Sequence, residues 1–255
     1  MEEIARFGDV TARLGKDHVA EVEIHRAPNN YFDGELISGL ADAFEKLGAA
    51  ECRAIVLCSE GKHFCAGANF GGPRRDDGGA LYREAVRLFA TPTPVVAAVQ
   101  GAAVGGGLGL ALMPDFRVAA PEARFSANFA RLGFHHGFGL SVTLPRLVGM
   151  QAAQEMLYTG RRVPGEEALR LGLCDRIAPL AEVRAEAAAL AREIALSAPL
   201  AVVSIRETLR GELAEAVRVA TERELREQER LRATEDFREG IVAMAERRVP
   251  DFKGR

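Results

Sequence analysis

Two adjacent histidines, His135 and His136, lie in the run Phe125–Leu140, which reads FSANFARLGFHHGFGL. Glycines and phenylalanines surround them, and the run holds no Asp or Glu. Histidine exchanges a proton near neutral pH, so either residue could serve as a general acid or base. Alternatively, both histidines cap a turn or fill a slot at the surface. On these residues alone the two interpretations remain open.

A glycine triplet, Gly105–Gly107, follows one predicted buried strand and opens a predicted helix. Leu110 breaks the GxGxxG pattern of dinucleotide-binding turns, and Gly139–Thr143 does not fit the GxSxG pattern of serine hydrolases. The glycines either allow close packing of helix and sheet or present backbone N–H groups to an oxyanion. A second glycine-containing turn, His63–Phe70, follows another predicted buried strand. The pair favours the second interpretation, because each turn could aim one N–H group at the same oxygen.

Cys65, in the second turn, could be proposed as a nucleophile, but the sequence places no base beside it. A small packed thiol is therefore favoured. The chain has four cysteines and no CxxC pair, which indicates reduced thiols rather than disulfides or a metal site. His63 is expected to satisfy backbone groups, whereas His18 and His25 are expected to lie in the N-terminal strands and to be structural.

The composition is that of a globular protein. The 255 residues are 48% hydrophobic and 27% charged, and the formal net charge is −3. An acidic chain is a poor general binder of nucleic acid, since that function needs a basic field. No stretch approaches the roughly 20 apolar residues of a membrane span, and the acidic N-terminus does not resemble a signal peptide. We therefore expect a cytoplasmic protein without nucleic-acid or membrane partners.

Strands and helices alternate in the first part of the chain. Period-2 alternation predicts a strand at 20–24 after a hairpin turn at 15–17, and apolar spacing predicts an amphipathic helix over 36–47. Further predicted elements are a buried strand at 54–58, a proline-containing loop and strand over 91–101, a buried helix at 105–113 and a strand at 115–120. Repeated strand–helix–strand units predict a mostly parallel sheet with right-handed crossovers.

The last third of the chain, over 182–246, is rich in Ala, Arg, Glu and Leu and predicts helices with a break near Pro199. Thr234 is the expected N-cap of the last helix. No heptad seam is sustained, so we expect the helices to pack on the core or on a neighbouring subunit rather than to form a coiled coil. The glycine-rich, charged segment 71–80 is expected to be a mobile surface loop.

These motifs resemble the crotonase superfamily, the enoyl-CoA hydratase/isomerase family, over almost the whole chain. The segments that carry the resemblance are FCAGANF (64–70), GAAVGGGLGLALMPDFRVA (101–119), FSANFARLGF (125–134), LPRLVG (144–149) and REGIVAMAERRVPDFKGR (238–255). The resemblance implies an α/β fold: a crotonase-like ββα spiral core over 1–198 with a C-terminal helical subdomain over 199–255. It implies a homotrimer or a dimer of trimers. It also implies an acyl-CoA substrate, with coenzyme A as part of the substrate and no cofactor bound permanently.

The resemblance also implies roles for individual residues. The backbone N–H groups of Ala66 and Gly106 would hold the thioester oxygen and stabilise an enolate. The nucleotide end would lie near Arg26–Asn30, and Phe252 and Lys253 would reach the CoA of a neighbouring subunit. The full set of residues expected to contact the acyl-CoA is Arg26, Ala27, Asn29, Ala66, Gly67, Ala68, Asn69, Phe70, Gly105, Gly106, Phe129, Phe252 and Lys253.

The family's carboxylates are missing at the matching positions. One glutamate position is Gly109, a second is Phe129, and the acidic turn of other relatives reads His136–Gly139 here. His135 and His136 would lie in the turn that lines the acyl end, so one of them could replace the missing acid–base group. The resemblance therefore implies an enzyme of the hydratase or isomerase type. The alternatives are a histidine-dependent isomerase, hydrolase or decarboxylase, and an acyl-CoA-binding protein without catalysis.

Overall fold

The computed structural model describes residues 1–70 and 79–255. Its strands, in chain order, are β1 (Glu2–Phe7), β2 (Val10–Leu14), β3 (Val19–Ile24), β4 (Ala54–Ser59), β5 (Val95–Val99), β6 (Ala102–Val104), β7 (Phe116–Ala119), β8 (Arg124–Ser126), β9 (Val163–Pro164) and β10 (Arg176–Ile177). Within the described residues, seven of them form the main sheet in the order β1-β2-β3-β4-β5-β7-β10. The pairs from β3 onward are parallel, so the predicted mostly parallel sheet is confirmed.

Helices cover both faces of this sheet. In chain order they are α1 (Gly34–Gly48), α2 (Ala80–Ala90), α3 (Gly106–Leu112), α4 (Leu140–Thr159), α5 (Gly165–Leu171), α6 (Val183–Ala195), α7 (Pro199–Arg210), α8 (Leu213–Arg232) and α9 (Glu235–Glu246). Leu40 of α1 belongs to the same buried cluster as Leu57 of β4, whereas Val56 of β4 packs in a second cluster with Ala191 of α6. Burial of this apolar strand on both faces is therefore confirmed.

The N-terminal edge of the sheet contains a strand that the sequence does not predict. β1 is exposed or half-buried along its length. Its charged residues do not alternate regularly with apolar ones, as they would in a typical half-buried strand. The predicted hairpin turn before β3 is confirmed, because the Gly15 N–H donates to the Val19 carbonyl at 2.9 Å and β2 pairs antiparallel with β3. His18 lies in this turn with a positive φ of 61° rather than in a strand.

The C-terminal part is helical, with the break at the predicted place. Pro199 is the first residue of α7, and the Thr234 hydroxyl accepts the Phe237 N–H at 3.1 Å to cap α9. α8 packs against α2 and α4, and α9 packs against the short 3-10 helix Ala130–Leu132. The division of the chain at 198/199 falls between α6 and α7, and it stays a prediction.

A smaller sheet, in the order β6-β8-β9, holds the segments that carry the motifs. β6 leads directly into the glycine triplet and pairs in parallel with β8. Apart from Gly79 and Ala80, the predicted surface loop 71–80 lies outside the described residues. Across the described part of the chain, no single helix is long and apolar enough to cross a membrane. The segments Leu180–Ala195 and Pro199–Arg232, which are bent by 105° to each other, together have the length and composition of a span, on those two criteria alone.

Candidate active site

The two glycine-containing turns lie side by side. A parallel bridge joins Cys65 to Ala103: the Cys65 N–H donates to the Ala102 carbonyl at 3.0 Å, and the Val104 N–H donates to the Cys65 carbonyl at 3.1 Å. A Cβ atom at Gly67 would lie only 2.7 Å from the Val104 carbonyl oxygen. The ends of two separate strand units are therefore held in direct contact.

The backbone N–H groups of this double turn correct one expectation. The Ala66 N–H donates to the carbonyl of Asn29 at 2.9 Å, so it is not free to bind a substrate oxygen. Ala68, two residues later, is exposed. Over residues 1–70 and 79–255, the Ala68 and Gly106 N–H groups have no hydrogen-bond acceptor. The Gly106 N–H begins α3, where no acceptor is available within the helix.

The glycine triplet is also required by close packing. A Cβ atom at Gly106 would lie 2.1 Å from the ring of Phe32, and a Cβ atom at Gly107 would lie 2.1 Å from the Cys65 carbonyl oxygen. Phe32 is held in place by its N–H, which donates to the Gly67 carbonyl at 3.1 Å. Sequence reasoning missed Phe32, since nothing in its local pattern relates it to Gly67 and Gly106, which are 35 and 74 positions away. The two interpretations of the triplet are therefore compatible.

Aromatic side chains fill the space at Gly109 and Phe129, two positions where the resemblance leads one to expect carboxylates. A Cβ atom at Gly109 would lie 2.7 Å from the Cβ atom of Phe138, whose ring packs edge-on against Phe32 at 5.7 Å between centroids. Phe129 is buried, and its ring lies 5.4 Å from that of Phe134. Phe129 also borders the glycine triplet, because its ring tip would lie 3.8 Å from a Cβ atom at Gly105. This part of the site is apolar.

The residues predicted for the nucleotide end are tied into the fold. Arg26 forms ion pairs with Asp9 at 2.6 Å and with Asp33 at 2.8 Å, so its charge is already balanced. The Ala27 N–H donates to a Glu60 carboxylate oxygen at 3.3 Å. The buried Asn30, which the sequence did not single out, donates from its amide to the carbonyls of residues 60 and 63 at 2.8 and 2.6 Å. This loop is therefore anchored directly to the first glycine turn.

The C-terminal residues fold back on their own chain. Asp236, in the first turn of α9, accepts the backbone N–H groups of Lys253 and Gly254 at 2.6 and 2.8 Å. The Lys253 ammonium pairs with Asp251 at 2.7 Å, and Phe252 is partly exposed. The contact of Phe252 and Lys253 with the CoA of a neighbouring subunit stays a prediction.

The adjacent histidines stack on each other and face the aromatic cluster. Their ring centroids are 4.1 Å apart, and the His136 ring meets the edge of Phe129 at 6.5 Å. The His135 Nδ1 atom lies 2.8 Å from the His136 carbonyl oxygen, which can only accept, so this nitrogen carries the proton. Burial, and secondarily the charge of His135, lowers the pKa of His136 to about 4. His136 is therefore a neutral imidazole at pH 7.

Polar residues of α8 hold the histidine turn, and the sequence analysis missed them. The carboxylate of Glu224 is almost fully buried and accepts hydrogen bonds from the turn. The Gln228 amide donates to the His135 carbonyl at 3.0 Å and accepts from the Tyr82 hydroxyl at 2.9 Å. The available signal was the spacing of Val217, Thr221, Glu224 and Gln228, which fits one helix face and places two polar residues on its buried side.

His63, His25 and Cys65 have the structural roles that the sequence predicted. The His63 Nδ1 atom accepts the Ala102 N–H at 3.2 Å, which satisfies a backbone group. Burial raises the pKa of the Cys65 thiol to about 12, so Cys65 is a packed thiol rather than a nucleophile. His25 bonds to Thr11 at 2.8 Å and to Glu60. Among the described residues, no group of three or more His, Cys, Asp or Glu side chains could hold a metal ion.

Both the sequence and the fold match known proteins. The profile of the family described as enoyl-CoA hydratase/isomerase matches residues 15–255. A Bacillus subtilis protein named probable enoyl-CoA hydratase is 33% identical over 246 residues, covering 92% of this chain and 95% of the relative. A carnitinyl-CoA dehydratase of Salmonella typhi is 33% identical over 249 residues, covering 93% and 95%. The crystal structure of an enoyl-CoA hydratase/isomerase from Pseudoalteromonas atlantica T6c matches with a TM-score of 0.87 and 30% identity, covering 96% of this chain and 100% of that chain.

The fold is therefore that of the crotonase superfamily, as the motifs predicted. This chain belongs to the enoyl-CoA hydratase/isomerase family of enzymes. Identity of about one third with relatives of different names establishes the family but leaves the individual reaction to be argued from the residues of the site.

Proposed function

We propose that the protein catalyses proton transfer at the carbon next to the carbonyl of an acyl-CoA thioester, in a reaction of the hydratase or isomerase type. The observation that carries this proposal is the contact between the two glycine turns, with the N–H groups of Ala68 and Gly106 left without acceptors. Two such donors would stabilise the oxygen of a thioester enolate, each by about 3 to 4 kcal/mol in the transition state. Ala68 takes the role that the sequence had assigned to Ala66.

His136 is the proposed proton carrier. It is neutral at pH 7, and its ring borders Phe129, which in turn borders the glycine triplet. A neutral imidazole can accept a proton from the substrate and return it to the product, which is the task of the absent glutamates. His135 stacks on it and is the second candidate.

The acyl group is proposed to be apolar and uncharged. Phe32, Phe129, Phe134 and Phe138 surround the glycine triplet and the histidine turn, and they offer no partner for a second carboxylate on the substrate. Coenzyme A would enter as part of the substrate, and no permanently bound cofactor is invoked. The names of the relatives, a hydratase and a dehydratase acting on CoA thioesters, support the same chemical class.

The protein is further proposed to be a cytoplasmic homotrimer or dimer of trimers. The support lies in α7, which has no buried side chain in the structure as described. Leu200, Ile205 and Leu209 on this helix are 85%, 59% and 68% exposed. Ile205 and Leu209 lie on the same side of the helix, one turn apart, and exposed apolar side chains of this kind are typical of a surface covered by another subunit. No nucleic-acid or membrane partner is proposed.

The test is exchange of the substrate's α-proton in D₂O, measured by mass spectrometry over a panel of CoA thioesters and the matching free acids. We expect exchange with thioesters and none with free acids. His136→Gln should lower the exchange rate by roughly 10²- to 10⁴-fold, with little change in affinity because the oxyanion donors are backbone groups. The matched control is His18→Gln, in the turn between β2 and β3, which should exchange like the parent.

Failure would take distinct forms. A parent protein that binds acyl-CoA but exchanges no proton would favour an acyl-CoA-binding protein, as does the buried phenylalanine at one expected carboxylate position, Phe129. Exchange that survives replacement of both His135 and His136 would assign the proton transfer to another group. Absence of binding to any thioester would refute the proposed substrate class.

A further inference from the structure

Glu224 supplies a carboxylate to the histidine turn from a distant part of the chain. Its side chain is 1% exposed, and three donors converge on it. The N–H groups of Gly139 and Ser141 donate to it at 2.9 and 3.0 Å, and the Ser141 hydroxyl donates at 2.6 Å. An acceptor of three hydrogen bonds, with donors on both oxygens, is arranged as an ionised carboxylate.

The Ser141 hydroxyl connects this carboxylate to His136. The His136 Nε2 atom lies 2.8 Å from the Ser141 oxygen, and 3.9 Å from the nearer Glu224 oxygen. A hydroxyl group has one proton, and the Ser141 proton is directed to Glu224, so the Ser141 oxygen can only accept from His136. The Nε2 atom must then carry a proton. In the neutral ring the lone pair is left on Nδ1.

We propose that Glu224 is a positioning residue, which acts through Ser141 to fix His136 in the Nε2–H tautomer and to make Nδ1 the atom that accepts the substrate proton. In that step the substrate C–H bond breaks, an N–H bond forms at Nδ1, and the electron pair stays on the substrate as the thioester enolate. The ring then carries a positive charge, which the Glu224 carboxylate stabilises across the Ser141 hydroxyl. This proposal rests on the proposed function, because it names the atom that performs the proton transfer.

Glu224 also has a structural task from which this role must be separated. α4 begins at Leu140, and its cap residue, Gly139, offers no side-chain acceptor. The carboxylate of Glu224 satisfies the N–H groups there, so it caps α4 from another helix. Replacing Glu224 alone would disturb both the cap and the histidine. Replacing Ser141 removes the hydroxyl bridge while both backbone N–H groups can still donate to Glu224.

The experiment therefore compares Ser141→Ala, Ser141→Thr and Glu224→Gln. Glu222→Gln is the matched control, since Glu222 lies on the same helix, is exposed and pairs with Arg218. Two quantities are measured: the rate of α-proton exchange into an acyl-CoA, and the tautomer of His136 by NMR of the ¹⁵N-histidine-labelled protein without substrate. Melting temperatures identify variants whose fold is weakened.

We expect the parent to show the Nε2–H tautomer at His136. Ser141→Ala should give a mixture of tautomers and a roughly ten- to hundredfold lower kcat at unchanged KM, whereas Ser141→Thr should restore both. This loss is smaller than the roughly 10⁴-fold loss seen where a carboxylate bonds directly to a catalytic histidine, since a hydroxyl intervenes here. Glu224→Gln should lower kcat at least as far, and Glu222→Gln should leave rate and tautomer unchanged.

The results that overturn the proposal differ from those that overturn the proposed function. A parent that exchanges protons while Ser141→Ala keeps both the rate and the tautomer would refute the positioning role alone. A parent with the Nδ1–H tautomer would refute it as well, whatever the rate. A parent that exchanges no proton with any thioester would refute the proposed function, and the catalytic role of Glu224 would fall with it.

Discussion

Acidification should destabilise the folded protein through His136, and His136→Gln should remove this part of the pH dependence. Burial, followed by the charge of His135, lowers the pKa of His136 from 6.5 to about 4 in the folded state. In the unfolded chain the imidazole regains its ordinary pKa. Between these two pH values the unfolded state therefore binds more protons than the folded state, and stability falls as the pH falls. Above pH 6.5 the contribution of neutral His136 to the free energy of unfolding is fully present, and below about pH 4 it is fully lost.

The expected size follows from the two pKa values. Each pH unit between them changes the free energy of unfolding by about 1.4 kcal/mol, which amounts to about 3 kcal/mol over the whole range. At pH 5 the loss relative to pH 7.5 is about 2 kcal/mol. The His136 side chain is 19% exposed, so solvent screening reduces this value only in part.

Urea unfolding at pH 7.5 and at pH 5 measures the effect, at one protein concentration because assembly would add a concentration-dependent term. For each protein, the free energy of unfolding at pH 5 is subtracted from that at pH 7.5. The informative quantity is this difference in the parent minus the same difference in His136→Gln. Groups that do not contact His136 titrate equally in both proteins and cancel. Equal pH dependence in the parent and His136→Gln would refute the burial-driven lowering of the His136 pKa.

Two further predictions concern the aromatic site and the exposed helix. Phe129→Glu should lower the urea midpoint by more than Phe129→Leu does. The reason is that it puts a carboxyl group between the Phe134 ring and the glycine triplet, where nothing is arranged to bind it. Equal midpoints of the two variants would show that this site admits water. Leu209→Glu should dissociate the assembly, whereas Thr208→Glu on the same helix should not. Light scattering coupled to size-exclusion chromatography measures the molar mass of each variant. A parent that is already monomeric would refute the trimer.

The elements that the sequence predicted are those whose signals are local. The apolar run of β4, the spacing of α1 and the cap at Thr234 each depend on residues a few positions apart, and all are present in the fold. The strand β1 lacked such a signal, because its exposed edge carries charged residues. The family and the fold were also accessible, since motifs in a fixed order carry more information than any one of them.

The details of the site depend on pairings between distant residues, and these could not be predicted. The turn around Ala66 was identified from its glycines, but the Ala66 N–H is occupied by the carbonyl of Asn29, 37 positions earlier. Glu224 contacts Ser141 across 83 positions. Its place on the buried face of α8 could be inferred from the spacing of that helix, but its partner in the histidine turn could not. Only the three-dimensional arrangement decides which amide is free and which carboxylate is buried.

Gly109, where the resemblance leads one to expect a glutamate, is coupled to the packing of Phe138. A Cβ atom at Gly109 would lie 2.7, 2.8 and 2.9 Å from the Cβ, Cδ1 and Cγ atoms of Phe138, so no side chain can be added at 109 while Phe138 keeps its position. Phe138 itself packs on Phe32 and Phe89. Its backbone has a positive φ of 61°, in the turn that also carries the histidines. Placing a glutamate at Gly109 would therefore require the histidine turn to move. The aromatic packing and the histidines thus form one unit, which explains why proton transfer at this site is expected from the turn rather than from α3.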